Sequence, residues 1–448
     1  MIRDTRPEAT GAFAPKALKS AVLLLITVVP NPCLLGQARD PGIRGGPPGA
    51  GQHISGLTAG QLEFFTDHAK PTFMEVEAVS NGLGPVFNLD SCAGCHAFPD
   101  IGGSSPPAQN PQVVRAASMA PGNRIPGFIK IDGPIREVRF KLRPNGSPDG
   151  GVHDIFTIAG RSDAPAGCAI AQPEFSDADN LSFRIPTPTF GGGLIEAIPD
   201  RAIADNLAAD PTGAKAALHI QGHVNTNHND GSVTRFGWKA QNKSLLIFAG
   251  EAYNVEMGVT NELFPNERHG DPTCAKNPTP ESASVFNAGT VTPADIVGFM
   301  SFMKFLDQPA PACAGSACSP SIQRGRALFD QVGCALCHTP TLRTGASSTA
   351  ALDHKDANLF SDLAVHHMGQ ALSDGITQGS AGPDEFRTAP LWGLGQRAFF
   401  LHDGRTSDLL DAIAAHDSDG SEASAVIRAF GSLPAAQQQD ILDLLRSL

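Results

Sequence analysis

The spacing of apolar residues divides the chain into a few amphipathic segments set in long irregular stretches. Residues 57–68 carry apolar side chains at helical spacing. Residues 295–306 repeat that period strongly, with Pro293 near the start and Pro309 as a stop. Residues 199–218, 322–329 and 435–448 also read as helices, the last an amphipathic one that closes the chain. Residues 129–142 and 152–158 show short strand-like runs separated by the turn sequence 143–151. Residues 244–253 are an apolar run whose period does not choose between helix and strand. Gly- and Pro-rich stretches lie at 39–53, read as a linker, and at 102–127, and an Ala/Pro/Cys-rich stretch at 309–320 is the best domain boundary. The pattern predicts a mainly α chain with loop and short β insertions.

One internal repeat refines this. Phe183-Arg184-Ile185-Pro186-Thr187-Pro188-Thr189-Phe190-Gly191-Gly192-Gly193 resembles Phe386-Arg387-Thr388-Ala389-Pro390-Leu391-Trp392-Gly393-Leu394-Gly395. Two copies indicate a duplicated domain rather than a solenoid, which needs more. The predicted units are 39–310, with the larger insertions, and 311–448.

The first 38 residues read as a signal peptide: Arg3, Arg6, Lys16 and Lys19 are basic, 21–29 are apolar, and small residues lie near 36–38. The apolar run is too short to span a bilayer. Cys33 follows Asn31 and Pro32, which is not the small-residue context of a lipoprotein. No later segment is long and apolar enough to span, so a mature chain that is periplasmic or otherwise exported, with no integral membrane segment, is expected. A net charge of -12 argues against nucleic acid as a partner. With 47 Gly, 36 Pro and only 17% charged residues, the composition suits a loop-rich protein around a large apolar group. The 41% hydrophobic content excludes disorder.

Cys92-Ala93-Gly94-Cys95-His96 and Cys334-Ala335-Leu336-Cys337-His338 supply the chemistry. Two thiols three residues apart can each bond one vinyl group of a haem, and the adjacent His then ligates the iron. At this composition one chance match is expected roughly 0.006 times per chain, so two are not accidental. The cofactors expected are two covalently attached c-type haems, in two tandem cytochrome c-like domains. Cys313 and Cys318 lie close together, and an oxidising compartment favours their pairing. Cys168 and Cys274 then remain, although connectivity cannot be read from sequence.

With these motifs the chain resembles the bacterial di-haem oxidoreductases of the cytochrome c peroxidase superfamily. The resemblance rests on Phe87-Asn88, on residues 184–199, on Arg235-Phe236-Gly237-Trp238-Lys239-Ala240 and on Glu256-Met257-Gly258. It continues through the second haem motif, 362–369, 386–395 and Leu401-His402-Asp403-Gly404-Arg405. Relatives include classical peroxidases, a tryptophan-modifying cofactor-maturation enzyme and latex-cleaving dioxygenases. In classical relatives a Met downstream of His-Asp-Gly completes the C-terminal haem. Here no Met follows Met368, and the corresponding place holds His416. The resemblance therefore implies a bis-His haem on His338 and His416, as in the latex-cleaving enzymes, with Met368 as the competing ligand. Classical peroxidases also carry a distal His soon after the proximal one, and this sequence has none between His96 and His153. An open sixth position follows, which is what chemistry on peroxide or O₂ requires.

Glu196, in an apolar run downstream of the first haem motif, is the candidate acid-base group over that haem. The plainer reading is a Glu that caps a helix or pairs with Arg201. Arg184, Arg387 and Arg405 are candidates for holding haem propionates, against ordinary surface pairing. Trp238 or Trp392 could relay electrons between the haems, and Trp238 is preferred for its motif; a core aromatic is the commoner fate. The reading is a haem-dependent oxidoreductase, peroxidase-like, fed by a small redox protein or another donor and acting on peroxide or O₂. The alternatives are a haem dioxygenase cleaving an apolar substrate and a plain electron carrier.

Overall fold

The Asp295–Phe305 helix is apolar on nearly every side, and that dictates its place at the centre of the larger core: Ile296, Phe299, Phe302, Met303 and Phe305 are all buried. The computed structural model describes residues 37–119 and 122–448. The predicted leader, apart from its last two residues, and Cys33 with it, lie outside the described residues. The expected helix at 57–68 begins at Thr58, whose hydroxyl accepts from Gln61 while the Gln61 side chain returns to Thr58, a capping box. It runs as Ala59–Phe64, a π-helical turn at Phe65–Ala69, and Lys70–Met74. Phe65 and Phe73 from this segment pack on Phe302 at 5.6 and 4.4 Å between ring centres.

The apolar run at 244–253 resolves as helix, Leu245–Met257. Ser244 starts it by accepting from Ile247, and Gly258, at φ +71°, ends it. A side chain on Gly258 would meet the Val86 carbonyl at 2.4 Å, so this turn tolerates only glycine. Residues 199–218 form two helices, Asp200–Ala208 and Ala214–Leu218. Pro211 and Gly213 interrupt them.

Helix accounts for 32% of the described residues and strand for 12%, so the architecture is mixed. No helix of the described residues is long and apolar enough to cross a membrane. The strands are short. Glu137–Phe140 pairs antiparallel with Leu181–Arg184, Glu137 opposite Arg184, and with Val152–His153. Val365–His367 pairs antiparallel with Glu385–Arg387. Each copy of the internal repeat thus begins in a strand and reaches a glycine in the left-handed region, Gly191 or Gly393. The copies also touch: a side chain on Gly191 would meet the Trp392 ring at 2.5 Å.

A second core gathers Leu328, Phe329, Leu394, Phe400, Phe430, Leu442 and Leu445. It is built on Pro320–Val332 packed against Ala435–Ser447. The expected linker at 39–53 is tied to both cores. Asp40 accepts from Arg446 at 2.6 and 2.7 Å and caps Leu409, while Asp307 N donates to Gln52. Among the described residues, the cysteines outside the two Cys-x-x-Cys-His motifs form two disulfides, Cys168–Cys274 and Cys313–Cys318.

The helices of the second core approach closely at Gly325, where a Cβ would lie 2.0 Å from the Asp440 carbonyl oxygen. Gly325→Ala should therefore force them apart and lower stability by about 1–3 kcal/mol. A shift of the denaturant midpoint measures this; an unchanged midpoint would show that the pair separates freely.

Candidate functional site

Two of the cavities among the described residues each contain one Cys-x-x-Cys-His motif. The first, about 1160 Å³, is lined by Cys92, Cys95 and His96 together with Phe73, Tyr253, Met257 and Phe299. The second, about 1440 Å³, is lined by Cys334, Cys337 and His338 with Phe329, Phe386, Leu409 and Leu445. Both are walled mainly by apolar and aromatic side chains around the motif, a lining that suits a large planar cofactor.

Cys92–Cys95 is a single helical turn, and His96 leaves it with non-helical dihedrals. Its Nδ1 lies 2.9 Å from the Gly103 carbonyl oxygen. That bond places the proton on Nδ1, the arrangement metal-ligating histidines use, and the ring also meets the backbone of Thr187. His338 repeats it, with Nδ1 3.0 Å from the Phe360 oxygen. Burial lowers the pKa of both, that of His338 to about 4, so both rings stay neutral. The four motif cysteines are free thiols whose pKa burial raises. Thiol pair and neutral imidazole together are the donor set that a covalently attached haem requires.

The second cavity also brings in His416 and Met368. His416 follows the Leu409–Ala414 helix and turns its Nδ1 onto the Ala412 carbonyl at 2.7 Å, one of the unpaired carbonyls of a helix end. Its ring is thus prepared as His96 and His338 are. Its nearness also contributes to the lowered pKa of His338, after burial. Among the residues lining the first cavity, His96 is the only imidazole.

The carboxylates of the first cavity are not the expected one. Glu196 lies on Gly192–Ala197, whose buried face carries Leu194 and Ile195. Its Oε1 accepts from Leu245 N at 2.9 Å, so it caps the Leu245–Met257 helix beside Ser244. It is not among the cavity's lining residues. Arg201, the other partner considered, pairs with Asp205 instead. Glu137 and Glu256 do line the cavity. Glu256 accepts from Asn88 at 3.1 Å, and Glu137 pairs with Arg139 at 2.6 Å. Burial, then the charge of Glu137, holds the Glu256 pKa well above the carboxylate range. Burial acts the same way on Glu137, but Arg139 and the hydrogen bond to Glu256 outweigh it and keep Glu137 ionised. Two buried carboxyls thus share one proton. The sequence reading missed both: the Glu-Met-Gly motif was a signal that could have marked Glu256, and nothing local marks Glu137.

The arginines divide. Arg184 lines the first cavity, but its guanidinium is held by Asp374 and Gln378, both at 2.6 Å, with Nε left over. Arg387 lines the second cavity beside Arg397, which the sequence reading missed. Arg387 donates to the Gly237 carbonyl. Burial lowers both to about 10, and neither has an acidic partner among the described ion pairs. Arg405 turns outward, pairs with Asp403 at 2.8 Å and lines neither cavity. Its position two residues from an acid decides that.

Trp238 lines both cavities, whereas Trp392 lines neither. Its indole N–H donates to the Ile185 carbonyl at 2.9 Å, and its own carbonyl accepts from Arg387 N at 2.8 Å. One residue from each repeat copy therefore fixes it.

Residues 148–448, more than half of the chain, match the family model described as "Di-haem oxidoreductase, putative peroxidase". No curated protein matches the chain. Among solved structures, hydrazine synthase of Kuenenia stuttgartiensis aligns at 13% identity over 97% of this chain and 100% of its own, with a TM-score of 0.38. A MauG-like protein associated with microbial copper homeostasis aligns at 15% identity over 58% and 88%, TM-score 0.29. The diheme peroxidase BthA of Burkholderia thailandensis aligns at 16% identity over 61% and 89%, TM-score 0.28.

Beside the first cavity, buried Glu77 accepts from the Tyr253 hydroxyl at 2.7 Å, and burial raises its pKa to about 8. A raised carboxyl holds its proton more tightly folded than unfolded. Its contribution to stability is full below the ordinary value of 4.5 and is lost as pH rises through about 8. Glu77→Gln should flatten that decline, by an amount on the order of a few kcal/mol, in denaturation curves between these limits. An unaltered slope would assign the decline to other groups.

Proposed function

The chain belongs to this di-haem oxidoreductase family, and from that membership we propose that it is an exported, peroxidase-like enzyme whose first cavity holds the reacting haem and whose second holds the haem that takes in electrons. The family description itself supports a haem-dependent oxidoreductase. The finer reading rests on one observation, the difference between the cavities. The second is lined by four imidazoles, of which His338 and His416 carry Nδ1 on a backbone carbonyl while His366 is held by Asp362 and Glu422, and the first by one, His96, with a carboxyl pair. Each haem is bonded through its cysteine pair, Cys92 with Cys95 and Cys334 with Cys337. Residues 39–310 and 311–448 are the two cytochrome c-like units.

When bound, the haems supply iron that reacts with peroxide at an open face and carries single electrons at a closed one. The protein's part is protons and placement. Glu256, protonated and bonded to ionised Glu137, can hand a proton to the leaving oxygen and recover one. Arg139 keeps Glu137 charged, so the proton stays with Glu256. Arg387 and Arg397 offer two buried guanidiniums to the propionates of the second haem. Trp238 stands between the cavities as the electron relay. A small redox protein or another donor fills the second haem.

His416→Ala should still carry two haems by intact-protein mass, yet convert one low-spin haem to high-spin, while Met368→Ala leaves the spin states alone. The reverse pattern would make the second haem His/Met, and a single haem mass would remove the covalent assignment.

Glu256→Gln should slow the stopped-flow reaction with peroxide by roughly 10²- to 10⁴-fold, the usual worth of a positioned acid-base group. Glu196→Gln, which alters a helix cap, should leave that rate unchanged. Equal rates for Glu256→Gln and the parent protein would end the acid-base role.

A further inference from the structure

Tyr253 is the only tyrosine in the chain. It is 1% exposed, and it lines the first cavity but not the second. Its ring meets Phe299 edge-on at 4.8 Å. Its hydroxyl donates to Glu77 Oε1 at 2.7 Å and lies 3.4 Å from Asp295 Oδ2, which in turn accepts from Ser282. A phenol surrenders an electron readily only where its proton has an acceptor within hydrogen-bond reach, and here a buried carboxyl fills that place.

We propose that Tyr253 is a second one-electron donor to the first haem site, with Glu77 as the acceptor of its phenolic proton. This rests on the reading that the first cavity holds the peroxide-reactive haem. Reducing one peroxide to two waters consumes two electrons and two protons. One electron arrives from the second haem by way of Trp238. The other leaves Tyr253, which becomes a neutral phenoxyl radical as its proton passes to Glu77. The two protons taken up at oxygen come from Glu256 and from solvent. A later electron from the donor, with return of the proton from Glu77, restores the phenol.

Glu77 suits the part. Burial, opposed by the bond from Tyr253 and reinforced by the carboxyls of Glu75, Asp295 and Glu281, raises its pKa to about 8. When ionised it is a stronger base than an ordinary carboxylate, and below about 8 it already holds the proton. Radical yield should therefore climb as pH rises through that value.

A single tyrosine makes the test specific. The holoprotein, produced with ring-deuterated tyrosine and given one reducing equivalent to fill the second haem, is mixed with hydrogen peroxide without further donor, frozen within the reaction time, and read by electron paramagnetic resonance. The expected result is an organic radical whose lines narrow on labelling and whose yield rises with pH. Tyr253→Phe should lose the signal, and Glu77→Gln should lose its pH dependence. If the haem's optical spectrum responds to peroxide but no radical forms, or its lines ignore the label, the relay is overturned and the peroxidase reading stands. If the haem does not respond, both fall.

Discussion

Asp374 is buried with Arg184 on one side at 2.6 Å and Lys239 on the other at 3.1 Å, and the wall between the two cavities depends on that triad. All three side chains are at most 2% exposed. Lys239 also donates to the carbonyls of Gly382 and Glu385 and sits 4.1 Å over the Phe386 ring. Arg184 is the second residue of the first repeat copy, Phe386 the first residue of the second, and Lys239 follows Trp238. Desolvating three charges is expensive, and removing one partner of such a group typically costs about 3–5 kcal/mol. The same ions packed as hydrocarbon would be no less stable. What the triad provides is one geometry, with Trp238 at the place where both cavities meet.

The electrostatics of the two cavities follow from what each backbone leaves unpaired. Carbonyls of Gly103, Phe360 and Ala412 each take one imidazole Nδ1, and burial keeps the rings neutral. The cations of the second cavity sit on Arg387 and Arg397, neither of which has an ion-pair partner among the described residues. The excess proton of the first cavity sits between Glu137 and Glu256. One site is therefore poised to hold an anion and the other to move a proton, with the same attachment motif in both.

How much of this a reader of the sequence could see depends on how far apart the partners are. The two Cys-x-x-Cys-His motifs are legible from spacing alone, and Trp238 was preferred over Trp392 for the family motif around it. His416 followed from the absence of a later Met. Glu196 misled because an apolar run shows only that a side chain lies near a core; the helix phase that turns it onto Leu245 N is a tertiary matter. Glu137 was invisible for the opposite reason. Its function comes from Arg139 two residues away and from Glu256 more than a hundred residues on, joined by the Glu137–Phe140 strand and the Leu245–Met257 helix. Arg397 had no motif at all. The mixed architecture has a local cause, since Gly and Pro keep the longest described helices to 13 residues.

Trp238 and Tyr253 border the same cavity, yet their hydrogen bonds suit them to different transfers. The indole N–H of Trp238 donates to a backbone carbonyl, Ile185 O, which cannot accept the proton outright. An electron leaving that ring leaves the proton behind, and the charge returns as soon as the next electron arrives, which is what a fast relay between two haems needs. The phenol of Tyr253 donates to a carboxyl, so its oxidation moves proton and electron together and leaves a neutral, longer-lived product. Distance to the iron does not have to differ for the two side chains to divide the work. On the proposed reading, the acceptor at the far end of each hydrogen bond, a carbonyl in one case and Glu77 in the other, would make one a conduit and the other a store.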